Sequence, residues 1–213
     1  MTTAIGFKDT TRKTSELLED VIKSIDGEHI TLRQLLTIMG ENGLLLLCGL
    51  MSLPFLFPVS IPGVSTVFGA GIILIGVAVT LNTLPWLPKT LADRRMESAK
   101  LRPVLERGVR LLRKIDRFFK PRLSILTNSA VINRLNGLAL IAAGVLLMAP
   151  LGFMPFSNTL PGVAVLLLST GISQRDGLIV LGGYAMIGLT ILYFSALAFA
   201  AYAAGQNFNF FGS

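Results

Sequence analysis

Gly43-Leu44-Leu45-Leu46-Leu47-Cys48-Gly49-Leu50-Met51-Ser52-Leu53-Pro54-Phe55-Leu56-Phe57-Pro58-Val59-Ser60-Ile61-Pro62-Gly63-Val64-Ser65 is the stretch that decides the fold. It lies within 47 residues, 42–88, that contain no Asp, Glu, Lys or Arg. Two further charge-free stretches follow, 40 residues at 135–174 and 37 at 177–213. A helix crossing roughly 30 Å of hydrocarbon needs about 20 apolar residues, whereas a soluble core helix rarely needs so long an uncharged context. The whole chain is 52% apolar and 15% charged, with a mean hydropathy of +0.68, against roughly 25% charged residues in ordinary globules. It reads as an integral membrane protein.

Within the quoted stretch the helix cannot be continuous. Residues 44–57 would rise only about 21 Å. Pro54, Pro58 and Pro62 then recur at four-residue intervals, with Gly63 after the last, and each proline removes a backbone donor. Apolar sequence resumes at 64–81, where Gly69 and Gly76, seven apart, predict a face for a closely packed helix with Gly71 near it. Pro85-Trp86-Leu87-Pro88 closes the block, with an interfacial Trp before a basic segment. The second charge-free stretch repeats this order. A short apolar run at 138–148 is interrupted over 149–162, where Pro155, Pro161 and Gly162 stand, and resumes at 163–172. Leu160-Pro161-Gly162-Val163 matches Ile61-Pro62-Gly63-Val64 at an offset of 99 residues.

These patterns predict an all-α integral membrane protein of duplicated Pro/Gly-broken helical hairpins, re-entrant or discontinuous, plus a C-terminal transmembrane helix. Residues 1–42 form an amphipathic helical preface, 43–88 and 135–174 the two broken repeats, and 89–134 a basic connector. Residues 175–213 hold a charged turn, a span and a short tail; 178–204 is long enough to cross with some tilt. In the preface, Leu17, Leu18, Val21, Ile22 and Ile25 recur at helical spacing, and Thr31 with Gln34 fits a capping box for the next helix, punctuated at Glu41-Asn42-Gly43. Its acidic, amphipathic character is unlike a signal peptide, so the N-terminus is expected to be retained.

The net charge of +7 is localised: residues 1–42 carry −2 and residues 89–122 carry +8. Positive-inside bias puts that short basic connector in the cytoplasm, and anionic membrane lipids are a simpler partner for it than nucleic acid. Helix is expected over 89–101. From Pro103 onward, Val104, Leu105, Leu111, Leu112, Ile115, Phe118 and Phe119 alternate with Arg107, Arg110, Arg113, Lys114 and Arg117, the pattern of a helix lying in the membrane interface. Glu41, Lys89, Arg134 and Arg175 flank the hairpin ends, which favours both hairpins opening toward the cytoplasm as parallel repeats over an inverted pair. Arg175-Asp176-Gly177 reads as a loop with an Arg anchor and a helix-ending Gly, or as a conformational salt bridge.

Several chemistries lack their residues. One cysteine, Cys48, and one histidine, His29, exclude a disulfide framework and a zinc site. Ser65 has no His/Asp relay. The carboxylates cluster in the preface and connector without the facing pair that glycoside hydrolysis uses; beyond position 116 only Asp176 is acidic. No catalytic residue, metal or cofactor is expected, which argues against an enzyme.

Leu53-Pro54-Phe55-Leu56-Phe57-Pro58, Ile61-Pro62-Gly63-Val64-Ser65, Pro85-Trp86-Leu87-Pro88, Pro155-Phe156-Ser157-Asn158-Thr159-Leu160-Pro161 and Arg175-Asp176-Gly177, in that order, resemble the bacterial ExoD exopolysaccharide-synthesis family. The likeness runs from about residue 29 to 204 and includes Thr31-Leu32-Arg33-Gln34-Leu35-Leu36; Asn82 departs from it. The resemblance implies a multi-pass inner-membrane protein linked to exopolysaccharide production. It implies no particular reaction.

Two functions fit. A transporter or permease-like protein would use the paired breaks, whose freed carbonyls and helix ends meet a small polar solute or ion, with Ser65, Ser157, Asn158 and Thr159 supplying neutral hydrogen-bonding groups. A non-catalytic assembly or structural component would instead pack against polysaccharide-synthesis machinery or a second copy of itself.

Overall fold

A computed structural model describes residues 29–56, 63–83, 95–97, 129–149 and 154–210, together with 106, 123, 126 and 127. The preface helix expected at 17–25, Pro58, Pro62, the Pro85-Trp86-Leu87-Pro88 closure and the amphipathic stripe from Pro103 to Phe119 lie outside these residues. Among the described residues five helices carry the fold: α1 (Leu32–Ser52), continued by a 3₁₀ turn at Leu53–Leu56, α2 (Val64–Leu81), α3 (Ala130–Leu147), α4 (Thr159–Ser173) and α5 (Gly177–Phe210). One small element departs from an all-α reading. β1 (His29–Thr31) pairs antiparallel with β2 (Arg95–Glu97), His29 opposite Glu97 and Thr31 opposite Arg95. The ribbon stands where helix was expected within 89–101. Arg-Met-Glu carries no strand propensity of its own; its conformation follows from a pairing partner more than sixty residues away, out of reach of local pattern.

Among the described residues three helical segments are long and apolar enough to cross a membrane: Val64–Leu81 and Ala130–Leu147, of 18 residues each, and Gly177–Ala204, of 28. Gly40–Leu56 and Thr159–Ser173 are shorter. Eighteen residues rise about 27 Å, so α2 and α3 are of nearly full span, with a shorter apolar helix before α2 and another after α3.

Local chemistry sets the ends. α1 is interrupted at Gly40 (φ 59°, ψ −144°), a conformation without penalty only for glycine, so the break falls just before Glu41-Asn42-Gly43 rather than within it. Gly63 (φ 84°) caps the start of α2. At its other end Asn82 is left-handed (φ 52°) and the Thr83 amide bonds the Ala78 carbonyl at 2.9 Å. After glycine, asparagine is the residue that most readily ends a helix in this way, which gives the Asn82 departure a structural reason. The interruption in the second block spans the tip turn before α4. Pro161 and Gly162 fall inside the first turn of α4, where a proline forfeits no intrahelical bond because the first amides have no partner.

Glycines set the approach of the helices, as expected where lipid supplies no hydrophobic drive between them. Gly69 lies against Met148 and the Gly144 carbonyl, and Gly76 against Ile141 and the Gly137 carbonyl. The expected seven-residue glycine face of α2 thus meets its counterpart on α3, Gly137 and Gly144, in antiparallel register. Gly71 turns instead toward Met51 of α1. Gly162 seats α4 on Phe55 and the Ser52 carbonyl, and Gly171 and Gly183 seat α5 on α4 through Val180 and Leu168. Phe55 and Phe68 meet edge to face at 5.9 Å beside the first break. α4 is central, touching α1, α3 and α5, and its Ala164, Val165 and Leu168 are fully buried. These contacts fix two ends of the bundle. The tip end holds the Leu53–Leu56 turn, Gly63 and residues 154–158. The open end holds Glu41, Asn82, the start of α3 and the α4–α5 turn. α5 runs past the tips to Phe210, taking in part of the stretch expected as a tail.

Candidate functional site

The tip end carries the polar residues predicted for a binding role. Ser65 stands half-buried in the first turn of α2, and Thr159 half-buried at the start of α4. Ser157 is buried, and its hydroxyl donates to the Met154 carbonyl at 2.9 Å. Asn158 precedes α4 without capping it through its side chain. The Tyr193 hydroxyl donates to the Pro155 carbonyl at 2.7 Å, pinning this tip to α5. Pro54 is exposed within the 3₁₀ turn. Among the described residues α2 and α4 do not pack along one another, so Ser65 and the Ser157-Asn158-Thr159 group share an end of the bundle but not a helix interface.

The open end holds polar contacts that join α1, α3 and α5. Glu41 Oε1 accepts a hydrogen bond from Asn133 Nδ2 at 3.0 Å, linking α1 to α3 across 92 residues of sequence. One turn further along α3, Asn136 is 1% exposed; its Nδ2 donates to the Leu126 carbonyl at 3.1 Å and its Oδ1 accepts from the Tyr184 hydroxyl of α5 at 3.0 Å. The Thr127 hydroxyl donates to the Arg175 carbonyl at 3.4 Å. Burial pushes the Glu41 carboxyl above the usual carboxylate range, and the Asn133 hydrogen bond and the Arg175 guanidinium oppose that shift.

The charged turn differs from its expected form. Beyond the end of α4, Arg175 stands in the left-handed region (φ 53°), with the Asp176 amide bonded to the Gly171 carbonyl at 2.9 Å. Gly177 does not terminate a helix; it begins α5, pressed on the Leu123 carbonyl, where a Cβ has no room. Asp176, 5% exposed, accepts the Leu178 amide on Oδ1 at 3.0 Å, a cap for the first turn of α5.

Sequence reasoning missed Glu41, Asn42, Asn133, Asn136 and Tyr184 as a group. A signal for two of them is present: Asn42-Gly43-Leu44 recurs as Asn136-Gly137-Leu138, each opening the apolar run of a first hairpin helix. Both asparagines are buried. Among the described residues no three of His, Cys, Asp and Glu converge, so the site offers no protein-only metal cage. What it offers is hydrogen bonding around the Glu41 carboxyl, with a second carboxyl, Asp176, engaged in its cap.

Comparison with known proteins gives a consistent result. The family described as "Exopolysaccharide synthesis, ExoD" matches residues 14–196. Protein ExoD of Rhizobium meliloti (strain 1021) is 57% identical over 208 residues, 98% of this chain and 87% of that protein. An uncharacterized protein of Synechocystis sp. is 26% identical over 193 residues, covering 86% of this chain and 90% of the relative. No solved structure matches.

Proposed function

The chain belongs to the ExoD family of exopolysaccharide-synthesis proteins, and from that premise we propose that it is a multi-pass protein of the bacterial inner membrane that passes a small polar solute or ion between its two hairpins. The observation that carries this reading is the group of polar side chains at the hairpin junction: Glu41 on Asn133, Asn136 on Tyr184, and the buried Asn42. Polar and ionisable groups are expensive at membrane depth and mark solute or ion pathways. Hairpins opening to one end support parallel repeats. The basic connector, net +8 over residues 89–122, lies on the cytoplasmic face against anionic lipid headgroups.

Flux into liposomes tests the reading. Purified protein exposed to a panel of ions and sugar precursors moves at least one of them, and Asn158→Leu, which removes an amide donor and acceptor beside one break, lowers that flux while the protein stays folded and monodisperse. Full flux in a stable Asn158→Leu protein excludes an essential role for this side chain. No flux across the panel, with the pH gradient in either direction, favours the second reading, a non-catalytic component that packs on polysaccharide-synthesis machinery or a second copy. The observation favouring that alternative is that the tip spends Ser157 and Tyr193 on closing itself.

A further inference from the structure

We propose that Glu41 is a proton-binding site that couples the packing of the first hairpin to the second. It names the coupling ion of the transport reading and rests on that reading only for the passenger.

Three described carboxylate side chains compare as follows. Glu106 is exposed. Asp176 is buried, with Oδ1 holding the Leu178 amide. Glu41 alone lies at the junction, held to Asn133 of the other hairpin at 3.0 Å. It follows directly on the Gly40 break, so the apolar part of α1 begins with this carboxyl.

A second observation stands next to it in the chain. Asn42 is 6% exposed and has no hydrogen-bond partner among the described residues, whereas Ser52, Asn136, Ser157, Ser169, Asp176 and Thr190, the other buried polar residues, each have one. A buried amide left without a hydrogen bond carries a desolvation penalty. That cost favours a water or another small polar group beside the Asn42 amide at the open end.

The groups acting on Glu41 pull in opposite directions. Burial favours the protonated carboxyl; the Asn133 amide and the Arg175 charge, from the α4–α5 turn, favour the carboxylate. Of the other charged groups on the packed elements, Arg134 is exposed and Asp176 is engaged in its cap. Because burial outweighs the rest, the packed junction binds the proton more tightly than an opened, hydrated one. Linkage then has a definite sign. Between the ordinary carboxyl value of 4.5 and the raised value of the packed state, the packed state holds more protons, so its stability falls as pH rises through that window. Deprotonation releases the proton to water and favours opening; protonation favours closure.

The full-length protein in detergent tests this. An infrared band of a protonated carboxyl persists above pH 4.5 and is missing from Glu41→Gln. The melting temperature of the native protein falls as pH rises through the same window, and Glu41→Gln, which keeps an oxygen for Asn133, removes that part of the fall. Asn133→Ala, lacking the bond that favours the carboxylate, moves the fall to higher pH. A band that titrates at or below the ordinary value, or a Glu41→Gln protein with the native pH profile, overturns the proposal. If Glu41→Gln does not fold, the direction of the Asn133→Ala shift decides. Flux is read separately, so absence of transport refutes the transport reading while these profiles still judge Glu41.

Discussion

Gly137→Ala is the most direct test of how the hairpins are held together. A Cβ at position 137 would stand 2.7 Å from the Thr80 amide nitrogen and 3.0 Å from the Gly76 carbonyl, and against the Thr80 hydroxyl oxygen. Ordinary contact begins near 3.4 Å, so α2 and α3 must part by about 0.7 Å, and two of the three obstacles are backbone atoms that cannot rotate away. A gap of that size forfeits roughly a quarter to a half of each dispersion contact along the seam, and overpacking of this kind costs about 1–3 kcal/mol. Alanine recovers roughly 1 kcal/mol of helix propensity, leaving a net loss of about 0–2 kcal/mol. Gly188 is the control. A Cβ there meets nothing within 4 Å, so Gly188→Ala keeps the propensity gain alone. The two variants should differ by about 1–3 kcal/mol, or roughly 5- to 150-fold in the unfolding equilibrium. Gly71→Ala should fall close to the control, because its obstacle is the terminal methyl of the flexible Met51 side chain. Reversible unfolding in mixed micelles, followed by circular dichroism during detergent titration, measures all three. Equal stability of Gly137→Ala and Gly188→Ala would refute the close backbone crossing.

Two further outcomes concern the open end. Tyr184→Phe removes the donor to Asn136 Oδ1 and should cost about 1 kcal/mol, while Asn136→Leu, which strands both the Tyr184 hydroxyl and the Leu126 carbonyl, should cost about 1–3 kcal/mol; the same unfolding titration reads both, and a larger loss for the tyrosine would contradict the network as described. Asp176→Asn keeps an acceptor for the Leu178 amide and should be nearly neutral, whereas Asp176→Ala should lose about 1 kcal/mol of capping and speed hydrogen exchange in the first turn of α5; equal effects of the two substitutions would show that Oδ1 does not cap that helix.

Sequence determined the class of molecule and several of the places where its helices begin or end. Charge-free stretches of 47, 40 and 37 residues locate apolar helices because charge in hydrocarbon costs several kcal/mol, so its absence is readable one residue at a time. The Pro/Gly punctuation likewise marks breaks, since proline and glycine act on their own backbone, and the pair Gly69 and Gly76 announced a close neighbour through spacing alone. Tertiary structure decided which neighbour. That Gly76 meets Gly137, that Pro161-Gly162 seats α4 on Phe55, and that β2 exists at all depend on segments far apart in the chain. The same holds for Glu41. In sequence it is the last of seven acidic residues in a charged preface; in the fold Asn133, 92 residues away, and Arg175 surround it, and a carboxyl takes its chemistry from what surrounds it, which only packing supplies.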